Sequence, residues 1–158
     1  FDLAGCSAAI DGADLPALVY RERFLRRLRP KALAKARRFP GLLDENRVRQ
    51  ARLLREYDDA VTAPLHGFTS AADYYARSSS GPLLPNVRRP LLVISAEDDP
   101  FVPGPTLPFH ALRENSYVTP RVSAAGGHVG FLTGPPWGLR RWAEEQAAAF
   151  IAGHLDGR

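Results

Sequence analysis

Two loops in the second half of the chain carry the side chains best suited to acid–base chemistry. The first contains three consecutive carboxylates, Glu97, Asp98 and Asp99, and the second places His128 within a glycine-rich stretch, residues 126–131. A carboxylate that hydrogen-bonds an imidazole holds it in one tautomer and stabilises its protonated form. The other ring nitrogen can then exchange a proton with a nucleophile. Asp99 and His128 therefore predict half of a catalytic triad.

Each of these loops follows a stretch that is predicted to form a β-strand. Residues 90–94 are a short apolar run, which is typical of a strand buried on both faces. Residues 117–123 predict a second strand, in which Pro120 favours an edge position or a strand start. Sites in open α/β sheets lie at the carboxyl ends of the strands. If the two strands are parallel neighbours, Asp99 and His128 are expected within hydrogen-bonding distance.

Other interpretations of the same residues stay open. A histidine in a loop is most often a polar surface group, and acidic loops after strands commonly form turns. Glu97, Asp98, Asp99 and His128 could also bind a metal ion, although no paired-histidine or paired-cysteine spacing supports such a site. The order acid then histidine at consecutive strand ends is the order of α/β-hydrolases, which favours catalysis. No cofactor is expected.

The segment from about residue 14 to residue 80 shows helical patterns separated by helix breakers. Residues 15–29 predict one helix, and Pro30 is expected to begin another, because proline is tolerated in a first turn but not in an interior. Nine basic residues lie between positions 21 and 38, opposed by Glu22 alone. Such a patch attracts phosphate. The solvated outer face of an amphipathic helix is the more common explanation, and the roughly helical spacing of the apolar residues between the basic ones favours it.

The remaining elements are predicted from periodicity and capping signals. Residues 48–61 predict a helix that Pro64 ends, and Ser70 followed by Asp73 predicts a short capped helix. Residues 78–82 are the most linker-like stretch. A short helix is expected over Phe109–Glu114, and a closing helix is expected to begin at Pro135 and Pro136, with an apolar face formed by Leu139, Trp142, Ala143, Ala147, Phe150 and Ile151. Two strands cannot form a stable parallel sheet alone, so they are expected to extend a sheet supplied by other residues.

The composition excludes several classes of protein. With 158 residues, 45% hydrophobic and 24% charged, the chain has the composition of a soluble globular domain. The single Cys6 excludes an internal disulfide and a four-cysteine zinc site. No apolar run approaches the length of a transmembrane helix, no secretory signal is visible, and no nucleic-acid motif accompanies the basic segment. The chain has no methionine and begins with Phe1, which predicts a fragment of a longer protein. The single cysteine and the lack of a secretory signal predict a cytoplasmic location, with membrane association as an alternative.

Four motifs in sequence order resemble the YheT-like α/β-hydrolases, a family named as carboxylesterases. They are Arg-Glu-Tyr-Asp-Asp-Ala-Val-Thr-Ala-Pro-Leu-His-Gly-Phe at 55–68, Asp-Tyr-Tyr at 73–75, Ala-Glu-Asp-Asp-Pro-Phe at 96–101 and Gly-Gly-His-Val-Gly-Phe at 126–131. The resemblance implies an α/β fold, the C-terminal part of an α/β-hydrolase with its last two parallel strands and flanking helices. Residues 1–13 would lead in from the sheet, 14–80 would form a helical cap, and 81–158 would complete the core.

The same resemblance assigns roles to individual residues. Asp99 matches the triad acid and His128 the triad base, with Asp98 a weaker candidate for the acid. The family's nucleophile lies in a Gly-x-Ser-x-Gly turn between a strand and a helix, and this sequence has no such turn. Gly5-Cys6-Ser7-Ala8-Ala9 is a near match, but only four residues precede it, too few for the strand that the turn requires. No nucleophile is therefore expected in this chain.

Two functions are consistent with these observations. The first is a fragment of a serine carboxylic-ester hydrolase, acting on a small-molecule or lipid ester and inactive by itself. The alternative is a non-catalytic module whose basic helix binds an anionic surface or partner, with peripheral membrane contact. Asp58 and Asp59 could line a substrate cleft, but they are interpreted as structural, in helix capping or in salt bridges with arginines such as Arg52 and Arg55. The other prominent side chains are assigned to a turn (His66), to exposed positions (His110 and His154) and to packing on the sheet (Trp137 and Trp142).

Overall fold

The computed structural model describes residues 1–155, and the contacts within the chain divide it into two compact units. We call residues 2–79 the helical unit, and Phe1 with the residues from Ser80 onward the α/β unit. The predicted division into lead-in segment, cap and core remains a prediction, because it depends on the arrangement of a complete hydrolase.

Side-chain caps set the helix starts in the helical unit. Four side chains accept backbone N–H groups in the first turns of the helices Leu3–Ile10, Leu15–Arg38, Glu45–Gln50 and Ala71–Ser78. They are, in the same order, Asp2, Asp14, Asp44 and Ser70. The predicted capping signal at Ser70 and Asp73 is confirmed, since the Ser70 hydroxyl accepts the Asp73 N–H at 3.1 Å. The elements are α1 (Leu3–Ile10), α2 (Leu15–Arg38), α3 (Glu45–Gln50), α4 (Leu54–Tyr57), a π-helical turn (Asp58–Thr62), α5 (Ala63–Leu65) and α6 (Ala71–Ser78).

Helix α2 runs without interruption through Pro30, so the predicted break there is wrong. Proline removes one backbone hydrogen bond from a helix interior, which normally kinks or ends the helix. Here buried Leu25 precedes Pro30 and buried Ala32 and Ala36 follow it, and all three belong to one hydrophobic core. Pro30 itself is exposed. Burial of apolar residues on both sides of the proline therefore outweighs the lost hydrogen bond.

Residues 48–61 contain the end of α3, the whole of α4 and most of the π-helical turn, instead of the single helix predicted. Helix α3 ends at Gln50, and α4 begins at Leu54 because the Asp11 carboxylate accepts the N–H groups of Leu54 (2.6 Å) and Arg55 (3.0 Å). A distant residue supplies this cap, so local periodicity could not predict it. The π-helical turn then leads directly into α5, which contains Pro64 and ends one residue after it.

A hydrogen-bonded polar cluster lies inside the helical unit. The Tyr75 hydroxyl lies 2.6 Å from Asp58 Oδ2 and 2.8 Å from Ser7 Oγ, and Thr62 donates to Asp58 Oδ1 at 2.6 Å. An ionised carboxylate can only accept, so Tyr75 donates its one proton to Asp58 and accepts from Ser7. Ser7 and Tyr75 are both buried. The cluster therefore ties α1, the π-helical turn and α6 together.

Replacing Tyr75 with phenylalanine is expected to destabilise the helical unit by about 1–3 kcal/mol, because Asp58 and Ser7 each lose a buried partner. Chemical denaturation of the chain measures this loss. Tyr74→Phe is the matched control, since the neighbouring hydroxyl has no part in the cluster. Equal stabilities of the two variants would contradict the importance assigned to the Tyr75 hydroxyl.

Asp58 also predicts a pH dependence of stability. Burial raises the pKa of Asp58 above its usual 3.8, even though hydrogen bonds from Thr62 and Tyr75 lower it. A carboxyl group whose pKa is raised by folding stabilises the fold most when protonated, and this contribution is lost as pH rises through the folded pKa. We expect the free energy of unfolding of wild type, relative to Asp58→Asn, to decrease as pH rises from about 4 toward neutrality. Parallel pH profiles of the two proteins would contradict this.

The α/β unit is built on two parallel strands, β1 (Leu91–Ala96) and β2 (Val118–Ser123). Their register runs from Leu91 opposite Val118 to Ala96 opposite Ser123. Helix α7 (Phe109–Glu114) lies in the connection, as predicted, and its Leu112 packs with Leu84 and Val118 in a small core. Both predicted strands and their parallel pairing are thus present, with Pro120 inside β2. Two 3₁₀ turns accompany them, Gly81–Asn86 and Gly104–Thr106.

The end of the α/β unit differs from the prediction. Residues 132–141 contain a short antiparallel pair, β3 (Leu132–Thr133) with β4 (Arg140–Arg141), and helix α8 begins only at Trp142 and extends to Leu155. Leu139 therefore lies outside the helix. Trp137 is 89% exposed and does not pack on the sheet, whereas Trp142 stacks on Phe131 with ring centroids 5.9 Å apart. The two prolines mark a turn here and not a helix start.

Candidate active site

Strands β1 and β2 end side by side, which places their following loops at one edge of the sheet. The Glu97 N–H donates to the Ser123 carbonyl at 2.9 Å, directly beyond the last paired residues. The chain then separates into two loops. We call residues 97–103 the acid loop and residues 124–131 the histidine loop.

Asp99 of the acid loop and His128 of the histidine loop are hydrogen-bonded. Asp99 Oδ2 lies 2.9 Å from His128 Nδ1, and the Asp99 side chain is only 4% exposed. Its second oxygen accepts the backbone N–H groups of Phe101 (2.8 Å) and Val102 (3.1 Å). Both carboxylate oxygens are therefore held in fixed directions, as the orienting acid of a triad requires.

The surroundings of Asp99 favour its ionised form. Burial by itself raises the pKa of Asp99, but the hydrogen bonds from His128, Phe101 and Val102 outweigh it, so the pKa lies below the usual 3.8. An ionised Asp99 accepts a proton-bearing Nδ1, and this fixes the tautomer of His128. The Nε2 nitrogen of the neutral ring is then left as an acceptor, which is the form that a general base needs.

His128 presents part of its ring to the outside of the loop. Its side chain is 45% exposed, and the ring packs edge-to-face against Phe101, with centroids 4.9 Å apart and planes 88° apart. The contact with Phe101 and the bond to Asp99 restrict the ring on two sides. A restrained but accessible imidazole can meet a reacting group without a change of loop structure.

Two glycines allow the histidine loop to adopt its shape. A Cβ atom on Gly126 would lie 2.7 Å from the Phe131 ring, so this position has no room for a side chain. Gly127 has φ of +62°, a left-handed conformation that other residues adopt at a cost. Phe131 closes the loop, because its N–H donates to the Gly126 carbonyl at 3.1 Å. The sequence pattern at 126–131 is therefore explained by backbone geometry around His128.

Asp98 has a role that the sequence analysis missed. Its Oδ1 accepts the backbone N–H groups of Gly126 and Gly127, both at 2.9 Å, while Asp99 turns to His128. Adjacent residues of the acid loop thus contact different parts of the histidine loop. Three acids in a row after a strand were the available signal, but the partner of each one depends on the loop conformations. In residues 1–155, no group of three or more metal-binding side chains converges.

The other sequence-predicted candidates lie elsewhere. Ser7 lies inside helix α1 of the helical unit, not on a turn between a strand and a helix. Asp58 bonds to Thr62 and Tyr75, and Asp59 accepts the Ala71 N–H at 2.6 Å. The predicted structural role of these acids agrees with these contacts, since Asp59 caps the start of α6. The alternative of salt bridges with Arg52 and Arg55 is not what the structure shows, because Asp58 bonds to Thr62 and Tyr75 instead. The predictions for His66, at the end of α5, and for exposed His110 and His154 are confirmed.

Comparison with known proteins identifies the relatives of this chain. It is 32% identical over 146 residues to YheT of Escherichia coli (strain K12), a match that covers 89% of the chain. The chain is a relative of the YheT-like α/β-hydrolases. It is also 33% identical over 68% of its length to a monoacylglycerol lipase of Saccharomyces cerevisiae, and 34% identical over 61% of its length to phospholipase ABHD3 of Homo sapiens. The resemblance noted in the sequence is thereby confirmed.

These matches cover only part of each relative. The chain spans 42% of YheT, 23% of the monoacylglycerol lipase and 24% of phospholipase ABHD3. No protein-family model matches the chain, and no solved structure matches it significantly. Within residues 1–155, no helix combines the length and the apolar character needed to cross a bilayer.

Proposed function

We propose that this chain supplies the acid, Asp99, and the base, His128, of a serine carboxylic-ester hydrolase of the esterase or acyl-lipid hydrolase type. The observation that carries the proposal is the 2.9 Å bond between Asp99 Oδ2 and His128 Nδ1 at the ends of two neighbouring parallel strands. The names of the relatives support it, because a monoacylglycerol lipase and a phospholipase are named for hydrolysis of lipid esters.

In this proposal a serine outside these 158 residues attacks the ester carbonyl. His128 Nε2 accepts the serine proton as the Oγ–C bond forms, and the imidazolium donates that proton to the departing alcohol as the C–O ester bond breaks. Water then attacks the acyl-serine, giving its proton to Nε2, and the serine recovers a proton as the carboxylic acid leaves. Asp99 remains ionised throughout and stabilises each imidazolium.

The identity of the nucleophile tests the proposal directly. A fluorophosphonate probe reacts covalently with an activated serine, so the natural protein that contains this chain is treated with it and digested. We expect the label on a serine in a Gly-x-Ser-x-Gly turn outside residues 1–158, with no label on the isolated chain. Absence of labelling in the natural protein, or labelling of Ser7, would contradict the proposal.

A second candidate function follows from the continuity of helix α2. Exposed Arg23, Arg27, Lys31 and Lys35 recur every fourth residue, so they form one ridge along the helix. Leu15 and Val19 extend the same ridge and are 73% and 57% exposed. A row of cations that continues into exposed apolar side chains is the pattern of a helix that lies on an anionic lipid surface.

We therefore propose that α2 binds anionic phospholipid headgroups, independently of any catalytic role. The chain is expected to sediment with phosphatidylcholine vesicles that contain phosphatidylserine and not with pure phosphatidylcholine. Binding should weaken steeply as salt is added, because attraction between surface charges is screened. Equal binding to both vesicle types, or binding unaffected by salt, would contradict this second proposal.

A further inference from the structure

The histidine loop is attached to the acid loop by two adjacent carboxylates. Asp99 bonds the His128 side chain, and Asp98 bonds the backbone immediately before it, at Gly126 and Gly127. Three consecutive residues of the histidine loop are therefore held by two consecutive residues of the acid loop. Asp99 fixes the orientation of the ring, and Asp98 holds the backbone from which the ring projects.

The geometry at Asp98 is that of a backbone clamp. One oxygen, Oδ1, receives two successive N–H groups at 2.9 Å each. Hydrogen bonds to a charged acceptor are stronger than those between neutral groups. Gly127 needs this restraint, because a glycine has wide backbone freedom and no atom outside its chain neighbours lies within 4 Å of where its Cβ would be. Without the Asp98 carboxylate, the N–H groups of the two residues that precede His128 would lose this acceptor.

We propose that Asp98 is a positioning residue, which holds the histidine loop so that His128 Nδ1 stays within hydrogen-bonding distance of Asp99. This inference rests on the proposed function for its catalytic consequence, but the clamp itself is a property of the chain alone. Asp98 acts through the loop backbone and does not contact the reacting atoms. Its carboxylate oxygen is the essential feature, so asparagine, which keeps an oxygen acceptor, should preserve much of the effect.

Hydrogen exchange in the natural protein that contains this chain tests the clamp without reference to activity. In Asp98→Ala the amides of Gly126 and Gly127 should exchange faster by roughly tenfold or more, which is the expected result of losing bonds to a charged acceptor. Asp98→Asn should exchange at rates closer to wild type. Glu97→Ala removes the neighbouring carboxylate and is the matched control, with wild-type rates at both glycines.

The His128 ring provides a second readout, which a purely structural role of Asp98 would leave unchanged. Nitrogen NMR distinguishes a ring fixed with its proton on Nδ1 from one that exchanges between tautomers. We expect the fixed form in wild type and Glu97→Ala, and loss of that form in Asp98→Ala while the amide signals of β1 and β2 stay in place. Unchanged exchange at both glycines, or an unchanged His128 ring signal in Asp98→Ala, would overturn the proposal.

In the natural protein, Asp98→Ala and Asp98→Asn are expected to change kcat and to leave KM almost unchanged. A displacement of a reacting group by about 1 Å costs on the order of 10²-fold in rate. Asp98→Ala should therefore lower kcat by about that factor with little change in KM, and Asp98→Asn should recover most of it. Fluorophosphonate labelling distinguishes failure of the proposed function from failure of the role of Asp98. If the natural protein is not labelled but Asp98→Ala alters exchange at the two glycines, only the proposed function is contradicted. If the natural protein is labelled but Asp98→Ala leaves that exchange unaltered, only the role of Asp98 is contradicted.

Discussion

Asp99→Asn in the natural protein is expected to lower kcat for ester hydrolysis by on the order of 10⁴-fold. The asparagine can turn its amide nitrogen toward Nδ1 and so favours the wrong tautomer of His128, with the proton on Nε2, where it cannot accept the serine proton. It also removes the negative charge that stabilises the imidazolium. Hydrolysis of a chromogenic ester measures the loss, and active-site titration confirms equal enzyme concentrations.

Glu97→Gln is the matched control for this effect. It neutralises a carboxylate two residues away in the same acid loop, where Glu97 is exposed. We expect activity close to wild type. A loss of similar size in both variants would show that the charge of the loop matters and not the contact with His128. Full activity of Asp99→Asn would rule out Asp99 as the triad acid.

Asp99→Asn is also expected to change how the free energy of unfolding depends on pH. Because the folded-state pKa of Asp99 lies below its usual 3.8, the ionised carboxylate stabilises the fold above that pH, and the contribution is lost as pH falls through the folded pKa. Wild type should thus lose stability on acidification more steeply than Asp99→Asn. This difference checks the carboxylate's hydrogen bonds in the α/β unit even where no catalysis can be measured.

The sequence predicts the centre of the candidate site well, because its signals are local. The apolar run before the acid loop predicts β1, and the glycines around His128 predict a loop that only small residues can form. Parallel pairing then brings Asp99 and His128 together by geometry alone, since both loops leave one sheet edge. Whether this pair performs catalysis remains a proposal that the experiments above address.

Several features that could not be predicted depend on residues distant in sequence. The start of α4 depends on Asp11, which lies 43 residues before Leu54. The apolar residues of α2 on both sides of Pro30 share a core with Val48, Ala51 and Tyr57. The role of Asp98 depends on Gly126 and Gly127 across the sheet edge. Local rules assign such residues to turns, caps or salt bridges because no nearby partner reveals the actual contact.

Reversing three charges of α2, Arg23→Glu, Arg27→Glu and Lys31→Glu together, is expected to weaken binding to phosphatidylserine vesicles by at least about 10²-fold. Each basic residue near an anionic surface contributes about 1 kcal/mol, and each reversal adds repulsion to that loss. The three positions are exposed, so the fold of the helical unit should be retained. Vesicle sedimentation at low salt measures the change, and circular dichroism checks helix content.

The control for this experiment has the same net charge as the α2 triple variant, but the reversed charges lie elsewhere. Arg89→Glu, Arg113→Glu and Arg121→Glu reverse three exposed arginines of the α/β unit, so a general effect of charge would weaken binding equally in both triple variants. Binding by the α2 ridge predicts that the control retains wild-type affinity. Leu15→Ser with Val19→Ser should weaken binding without changing its salt dependence, because these side chains contribute apolar burial and no charge. If both charge variants lose the same affinity for the vesicles, the attraction depends on the net charge of the whole surface. That result would exclude α2 as a specific lipid-binding helix.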